Sequence, residues 1–431
     1  MKLKKIAALL AVAGLSAPAF ATNGMNLPGY GPVAAGMGGA SMAYDNGNAG
    51  LINNPATLGL RASGTSRVDI AVGGLHPDVS ATSTAGAGSI ASSAKEFYMP
   101  AMGYVRKDGK VTWGIGMMSQ GGMGTDFGRN SWMSGGSGLP LRTELGVGRV
   151  LFPLVFSVTD TLTVGGTFDY VWGGLDMQSM LSAAQFGGMG GTTTGGLNSI
   201  GLVHFDFNKG TDKFSQALTT SGTAVNLGFT WAATPQLSIG GVYHSKTSLG
   251  DMSGNGTYTS GTTLATGGTR GTFKLIDFQW PETYGLGISY QATDRLQLVL
   301  DYKDIAWDKA MDFMRVRFTS AAGTASINMP LNWQRQQVVQ LGMSYKMDDN
   351  ITLRAGYNAG KNPIPSGNLN PLFPAIVDTH VTLGFGYVIN KKMSADFSYA
   401  YSPKVSQTNA GMGATASHEQ QSWQAMFSNR F

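Results

Sequence analysis

The sequence predicts an all-β protein: a 14-stranded antiparallel transmembrane β-barrel with an N-terminal plug segment inside its lumen. Three observations predict this fold class: an export signal, a low content of charged residues, and many segments in which polar and apolar residues alternate. Charged residues make up 13% of the 431 residues, and the mean hydropathy is −0.03. Ordinary soluble domains carry about 25% charged residues. After residue 21, no apolar run reaches the roughly 18 residues that a spanning helix needs. A barrel whose outer face meets lipid accounts for the low charge content and for the lack of a long apolar run.

Residues 1–21 are predicted to be a cleaved signal peptide. Lys2, Lys4 and Lys5 form a basic start, residues 6–15 are apolar, and Ala19-Phe20-Ala21 matches an A-x-A cleavage site. The mature chain is expected to begin near Thr22. The alternative is a buried N-terminal helix, and export is the favoured interpretation.

The charge balance argues against a nucleic-acid partner. The formal charge is +5, and removing the three signal lysines leaves 27 basic and 25 acidic residues, or +2. No domain-wide basic field remains for a polyanion. Cysteine is absent from the sequence, so an exported form needs no disulfides.

Residues 22–64 are predicted to form the plug, or hatch. Their central part, "GMGGASMAYDNGNAGLINNPATLGL" (residues 36–60), has neither a helical nor a strand period. A segment rich in Gly, Ala and Asn could instead lie in a barrel lumen, where inward-facing polar groups pair with its backbone. Pro28, Pro32 and Pro55 restrict the chain and disfavour the alternative, a flexible periplasmic tail.

Residues 65–431 are predicted to form the barrel. Short polar turns join paired segments, and longer Gly/Ser/Thr-rich loops separate the pairs. The turns are "RKDGK" (106–110), "TDT" (159–161), "ATPQ" (233–236), "ATDR" (292–295), "MDDN" (347–350) and "INKK" (389–392). These six turns give twelve strands. A first strand at about 66–76 and a last at about 419–431 complete the count, with long loops at about 179–221 and 252–280. Short turns are typical of the periplasmic side, so both termini are expected there.

Alternation within the strands predicts which side chains meet lipid. In "RLQLVLDYK", Leu298, Leu300 and Tyr302 share one face, whereas Asp301 and Lys303 share the other. A soluble sandwich also alternates, but it would carry more charge on its outer faces. Aromatic residues near turns or loop entries suggest interfacial girdles. They are Tyr104, Trp113, Trp231, Tyr290, Trp307, Tyr345, Tyr357 and Tyr387.

The barrel must close, because backbone N–H and C=O groups in hydrocarbon have no water to pair with. The first strand is therefore expected to pair with the last. The terminal Phe431, with Trp423, Ala425 and Phe427 on its face, resembles the C-terminal signature by which such barrels are handed to the assembly machinery.

The plug sequence resembles the N-terminal plug of the FadL/TodX family of outer-membrane hydrophobic-compound transporters. Asn54-Pro55-Ala56, preceded by the A-x-D-N-x-x-A run at residues 43–49, carries the match. "LHPDVSAT" (75–82), "MMSQGGMGTDF" (117–127) and "ITLRAGYNAGKNPIP" (351–365) resemble later family segments in the same order. The long loops at 179–221 and 252–280 show no such match.

The resemblance implies passive transport of hydrophobic small molecules, such as long-chain fatty acids or hydrocarbons. Extracellular loops would capture the molecule, the plug would rearrange, and the molecule would leave sideways at a break in the third strand. Glycines in "MMSQGGMGTDF" offer a basis for such a break, since glycine in a strand marks a bulge; they could instead simply begin a loop. The expected path and gating residues are Asn54, Pro55, Ala56, Gly121, Gly122, Met123 and Gly124.

Two lumen cations are candidate head-group contacts. Lys303 and Arg354 could hold a carboxylate, but a structural role is the favoured alternative. Lys303, for example, could pair with a lumen acid such as Asp301 or Asp396. Methionines at 99, 102, 117, 118 and 123 could line an adaptable apolar pocket, or face lipid.

Other functions fit the sequence less well. The rivals are a general aqueous porin for small polar solutes and an outer-membrane lipid hydrolase using His244 and Ser245. We expect no enzyme, no cofactor and no metal, because the five histidines lack metal spacing and no G-x-S-x-G occurs. The expected partners are a hydrophobic substrate, outer-membrane lipid and lipopolysaccharide, and the assembly machinery during biogenesis, with a monomeric barrel and no nucleic acid.

Overall fold

The computed structural model describes residues 23–207 and 217–431. The predicted signal peptide, residues 1–21, lies outside the described residues. Among the helices of the described part, none is long and apolar enough to cross a membrane.

The first half of the chain contains long strands that follow the plug. Their bounds are β1 (Thr65–Ser83), β2 (Ser89–Ala91), β3 (Phe97–Asp108), β4 (Val111–Gly128), β5 (Leu141–Ser157), β6 (Leu162–Ser182), β7 (Thr192–Thr193), β8 (Leu202–Asp206), β9 (Leu218–Ala232), β10 (Leu237–His244) and β11 (Ser248–Leu249).

The second half continues the same sheet. Its strands are β12 (Met252–Ser260), β13 (Thr269–Ile276), β14 (Thr283–Thr293), β15 (Leu296–Ile305), β16 (Phe313–Ser320), β17 (Gly323–Pro330), β18 (Gln336–Lys346), β19 (Ile351–Gly360), β20 (Thr379–Val388), β21 (Met393–Asn409) and β22 (Ala414–Arg430). All six predicted turns are found as short connections between consecutive long strands.

Helical structure is brief and concentrated in the plug. The helices are α1 (Pro32–Ala35), α2 (Gly50–Asn53) and α3 (Ala183–Gly188), with 3-10 helices at Gly47–Ala49, Pro55–Leu60, Trp132–Ser134, Leu264–Thr266, Trp307–Lys309 and Ser366–Asn368.

Antiparallel pairing closes the sheet into a barrel. Neighbours pair in the order β1, β3, β4, β5, β6, β9, β10, β14, β15, β18, β19, β20, β21, β22 and back to β1. The closing seam runs from Arg67↔Arg430 to Ser83↔Ala414. The predicted pairing of the first strand with the last is therefore confirmed.

The predicted count of 14 strands is wrong: among residues 23–207 and 217–431 the sheet contains 22 strands. The additional strands are short or lie where the sequence predicted long loops. The hairpins β12–β13 and β16–β17 extend the wall on the side opposite the short turns. Inside this extension Phe273 packs on Phe318, with ring centroids 4.8 Å apart, and Tyr258 stacks on Phe318 at 5.5 Å. Frequent threonine and glycine residues make the apolar alternation of these hairpins difficult to recognise in the sequence.

The two faces of the wall differ as alternation predicts. On β15, Leu298 and Leu300 are 42% and 40% exposed, whereas Asp301 is 1% exposed. Most of the predicted girdle residues are exposed or half-buried on the outside. Trp307 is an exception, because it is fully buried inside the barrel.

Residues 23–64, here called the plug, lie in the lumen and bond to strands around the ring. Asp301 of β15 accepts hydrogen bonds from the backbone N–H groups of Ser41 and Met42 at 2.6 and 3.1 Å. On the facing wall, Gln424 of β22 donates to the carbonyl of Gly29 at 2.9 Å. The wall thus supplies the backbone partners that this non-periodic segment lacks.

Candidate functional site

The wall has an opening between β3 and β4. Their ladder ends at Ala101↔Met118, although β3 continues to pair with β1 as far as Phe97. Beyond the opening, the chain after β2 rejoins β4, where the Ser93 N–H donates to the Asp126 carbonyl at 2.7 Å. We call this bounded gap the window.

Local sequence explains where the ladder stops. Pro100, the first residue of β3 past the last pair, has no backbone N–H to donate. On the other side, β4 shifts register against β5 between Ser119 and Gly121. A bulge bends a strand and interrupts its pairing. Tyr98 and Met102 beside the window are 59% and 51% exposed on the outer face, so the window opens toward lipid.

The predicted glycines allow close packing around the window. A Cβ on Gly122 would lie 2.1 Å from the Leu145 carbonyl oxygen, and one on Gly124 would lie 2.7 Å from the Phe97 ring. The strand itself continues through these residues. The predicted break is therefore a loss of the β3 partner with a bulge, and β4 is not interrupted.

The start of the plug partly fills the inner side of the window. The Gly122 N–H donates to the Met25 carbonyl at 3.2 Å, and Asn26 forms an isolated bridge with Gly121. A Cβ on Gly121 would lie 2.2 Å from the Met25 oxygen. Glycine at 121 is thus what lets the plug approach β4.

Two buried tryptophans hold the same end of the plug. The Trp280 indole N–H donates to the Asn26 side chain at 2.7 Å. Gly24, at φ +64°, lies against Trp307, where a Cβ would come within 2.7 Å of the ring. The rings of Trp280 and Trp307 pack edge-on at 5.7 Å. Sequence reasoning missed this anchor, because it placed Trp307 in the interfacial girdle.

A cavity of about 260 Å³ lies behind the window. Met99 of β3 and all four predicted residues of β4, Gly121, Gly122, Met123 and Gly124, line it. Met25 of the plug and Trp172 of β6 also contribute to the lining. We call it the window cavity; it connects the plug, the window and the lumen wall.

An inserted loop, residues 361–378 between β19 and β20, packs against this region. Residues 369–377 are all buried. The Leu372 carbonyl accepts hydrogen bonds from Thr125 and Thr143 at 3.1 and 2.5 Å, and Ala375 lines the window cavity. Only its prolines, at 363, 365, 371 and 374, hinted at an ordered structure in the sequence.

The Asn54-Pro55-Ala56 motif lies on the opposite side of the plug. Asn54 is fully buried and donates to the carbonyls of Met42 and Phe229 at 2.7 and 3.1 Å. Its side-chain oxygen accepts from the Ala56 N–H at 3.1 Å, which caps the 3-10 helix at Pro55–Leu60. These three residues do not line the window cavity.

The two candidate head-group cations are also placed elsewhere. Arg354 donates to Asp396 at 2.9 Å, so it has a structural partner in the wall. Lys303 lines a separate cavity of about 50 Å³ beside Tyr30 and His244. Neither cation lies on the window cavity.

A buried polar network fills the lumen beside this small cavity. Arg149 donates to Asp169 at 2.8 Å and also contacts the Gln120 side chain. Asn226 joins Asp169 at 2.9 Å, and His244 Nδ1 lies 2.7 Å from the Asn226 oxygen. His244 is thus committed to Asn226, which leaves the hydrolase pairing with Ser245 without support.

The plug also takes part in this network. The Tyr30 hydroxyl donates to the Gln120 carbonyl at 2.7 Å. Burial raises the pKa of Tyr30 despite the nearby Arg149, so the hydroxyl keeps its proton for this bond. In the described part of the chain, no group of three or more His, Asp or Glu residues is arranged to hold a metal ion.

A closed, lipid-facing barrel with a bonded plug, a side window and a cavity behind it defines an outer-membrane transport channel. The chain belongs to the outer membrane protein transport family (OMPP1/FadL/TodX), whose model matches residues 8–428. This membership places the protein in the bacterial outer membrane, in a family of transport proteins and not of enzymes.

Solved structures show the same fold. The toluene transporter TodX of Pseudomonas putida is 27% identical, with a TM-score of 0.82, over 94% of this chain and 99% of that chain. The toluene transporter TbuX of Ralstonia pickettii is also 27% identical, with a TM-score of 0.78 and the same coverage.

A curated relative is matched over a shorter stretch. Outer membrane protein P1 of Haemophilus influenzae is 26% identical over 163 residues, which is 38% of this chain and 34% of that protein. The chain spans about a third of the length of the curated relatives that it matches.

Proposed function

We propose that this protein carries small hydrophobic molecules passively across the outer membrane and releases them sideways into the bilayer through the window between β3 and β4. The observation that carries this proposal is the window cavity, which lies behind a gap in the ladder and is lined on both sides by its strands.

The axial route is less favourable for an apolar molecule. The plug and the buried network of Arg149, Asp169 and Asn226 occupy the lumen below the cavity. Displacing hydrogen-bonded polar groups costs about 1–3 kcal/mol for each group left unsatisfied. Sideways release avoids that cost, and each CH₂ group kept out of water gains about 0.8 kcal/mol.

The plug would act as the gate. Met25 and Asn26 contact β4 through few bonds, and moving them would join the window cavity to the rest of the lumen. The solved relatives TodX and TbuX are toluene transporters. Their similarity, together with the cavity volume, supports monoaromatic hydrocarbons as the cargo ahead of long-chain fatty acids.

A reversible cross-link across the window tests this route. Register places Pro100 opposite Ser119, one step beyond the Ala101↔Met118 pair, and the Ser119 hydroxyl donates to the Pro100 carbonyl at 3.3 Å. The chain has no cysteine, so Pro100→Cys with Ser119→Cys gives one defined disulfide. Valine at Gly122 would be a poorer test, because its Cβ collides with β5.

The measurement is toluene uptake by cells or proteoliposomes, with the double variant oxidised and then reduced. We expect slow uptake when oxidised and recovery on reduction. A matched pair at Val72 and Ala425, partners in the β1–β22 seam, should cross-link without effect. Equal uptake in the oxidised and reduced window variant, at full cross-linking, would rule out sideways release.

A further inference from the structure

The outer face of the wall changes in composition where β15 reaches the rim opposite the short turns. Along this strand Leu298 and Leu300 are followed by Tyr302, which is 42% exposed, and then by Asp304. A change from apolar to aromatic to charged side chains marks the boundary between the hydrocarbon and the lipid headgroups. Short turns are typical of the periplasmic side, so this rim faces the cell surface.

The hairpins β12–β13 and β16–β17 continue the wall beyond this rim, with β13 paired to β16. Phe313, the first residue of β16, is 37% exposed on the outer face. Since a strand rises about 3.3 Å per residue, Arg315 and Arg317 lie about 7 and 13 Å beyond Phe313 on the same face. These two cations are therefore at the level of the lipid headgroups and not of the hydrocarbon.

Two like charges face each other on this surface. Lys274 of β13 lies directly opposite Arg317 of β16, and both side chains are exposed. Opposite side chains on one face of an antiparallel pair have Cβ atoms about 5 Å apart, and like charges there are destabilising. Within residues 23–207 and 217–431, neither side chain forms a salt bridge or a hydrogen bond that would offset this repulsion.

Other cations at the rim are neutralised by acids of the chain itself. Lys309 Nζ lies 2.6 Å from a carboxylate oxygen of Glu282, and Arg335 Nε lies 2.5 Å from one of Asp304. The opposed pair, which we call the basic pair, therefore differs from its neighbours in needing a negative charge from outside the chain.

The side chains around the basic pair are suited to a phosphate group. In the two cross-strand rows that contain it and lie next to it, the outward residues include Ser253, Lys274, Arg317, Ser326, Thr272 and Thr319. All six side chains can donate hydrogen bonds, and none is acidic. The acid at the end of β13, Asp277, is engaged by Arg315 at 3.9 Å. Adjacent strands lie about 4.8 Å apart, so donors from several of them can reach the oxygens of one phosphate.

We propose that the basic pair, Lys274 and Arg317, binds a phosphate group of lipopolysaccharide on the outer face of the β13–β16 extension. The partner is a lipid and not a soluble phosphate, because β13 leads into β14, and β15 into β16, at the rim of the lipid-facing wall. Acyl chains attached to the bound headgroup lie on that wall, beside Leu300 and Tyr302. The site goes beyond the proposed function and does not depend on the route through the window.

Three probes test the proposal: diphosphoryl lipid A, the same lipid without its phosphates, and glucosamine 6-phosphate. Binding to the purified, detergent-solubilised protein is measured by calorimetry. We expect diphosphoryl lipid A to bind about tenfold or more tighter than either other probe, because only it offers both phosphate and acyl chains. Equal binding of the dephosphorylated lipid would show an acyl-chain contact alone and would overturn the proposal. Equal binding of the soluble sugar phosphate would also overturn it, since the site would then be for a soluble anion.

The double variant Lys274→Gln with Arg317→Gln removes both charges. Each cation close to an anionic lipid contributes about fivefold, so diphosphoryl lipid A should bind about thirtyfold more weakly, with the dephosphorylated lipid unchanged. The control is Lys391→Gln with Lys392→Gln, which removes the same charge from exposed residues of a short turn on the other side of the membrane. This control should bind all three probes as the unaltered protein does.

A second variant guards against misfolding of the hairpins. Lys274→Glu gives Arg317 an ion-pair partner across the strands, which favours the folded extension. It should nevertheless lose affinity for diphosphoryl lipid A, whereas Lys274→Arg should keep it. Unaltered affinity in Lys274→Glu, or in the double glutamine variant, would overturn the proposal.

Discussion

The backbone N–H of Gly122 donates to the carbonyl of Met25 at 3.2 Å. This bond lies at a position of β4 where β3 would otherwise have continued to pair with it. The plug therefore supplies a replacement partner for a strand that has lost its neighbour. A contact of one or two such bonds is weak enough to open, and each is worth about 1 kcal/mol.

Gly121→Ala should displace the start of the plug. The new methyl group would lie 2.2 Å from the Met25 oxygen, so Met25 and Asn26 must move. We expect faster toluene uptake and altered fluorescence from Trp280, which bonds to Asn26. Gly146→Ala is the control, because it lines the same cavity and its methyl group meets no atom within 4 Å. Identical behaviour of the two variants would argue against gating by the plug.

Asn54→Ala should destabilise the plug without closing the window. The change removes the bonds to Met42, Phe229 and Ala56 and leaves buried carbonyls unsatisfied. The expected loss is about 1–3 kcal/mol in the free energy of unfolding, read from urea unfolding in detergent. Asn328→Ala, at an exposed position of β17, should change stability by less than about 0.5 kcal/mol. Equal stability of both variants would contradict the anchoring role of Asn54.

Replacing only Asp169 of the Arg149–Asp169 pair should destabilise the protein more than replacing both residues. Asp169→Leu leaves Arg149 charged and 2% exposed, at an expected cost of about 3–5 kcal/mol. Adding Arg149→Met removes that uncompensated charge and should recover part of the loss. The exposed pair Lys95–Asp78 is the comparison, and Asp78→Ala should cost no more than about 1 kcal/mol. A double variant less stable than Asp169→Leu would contradict this account of the lumen network.

The inserted loop should be less stable at neutral than at acidic pH. Burial raises the pKa of Asp378 from 3.8 to about 6, against a hydrogen bond from Thr379. The folded state disfavours the charged carboxylate, so stability falls as pH rises from about 4 to about 6 and then levels off. Heat-unfolding midpoints are measured from pH 4 to 7. As pH rises, the midpoint of Asp378→Asn should rise relative to that of the unaltered protein. A constant difference across this range would be evidence against the shift.

Much of the barrel follows from local chemistry. Alternation on β15 places Leu298 and Leu300 outward and Asp301 inward, because a strand has period two and only one face meets lipid. The hairpins β12–β13 and β16–β17 were not predicted, because no local sequence pattern indicates what their side chains pack against. Phe273 and Phe318 meet only in the folded extension, 45 residues apart by their numbering.

The site was predictable only in part. Gly121, Gly122, Met123 and Gly124 line the window cavity, and glycine clustering in a strand was the signal. Lys303 and Arg354 were predicted as head-group contacts from their charge alone. Whether a lumen charge is free to bind a ligand depends on its partner in the folded barrel. Pro100 carried no isolated signal, because its role depends on which strand faces it.

The most direct test of sideways release is the position of a bound hydrophobic molecule. Crystals soaked in bromobenzene would show it by anomalous scattering from bromine. Release through the window predicts a peak in the window cavity, between Met99 of β3 and residues 121–124 of β4. A peak only in the small cavity beside Lys303, Tyr30 and His244 would contradict it.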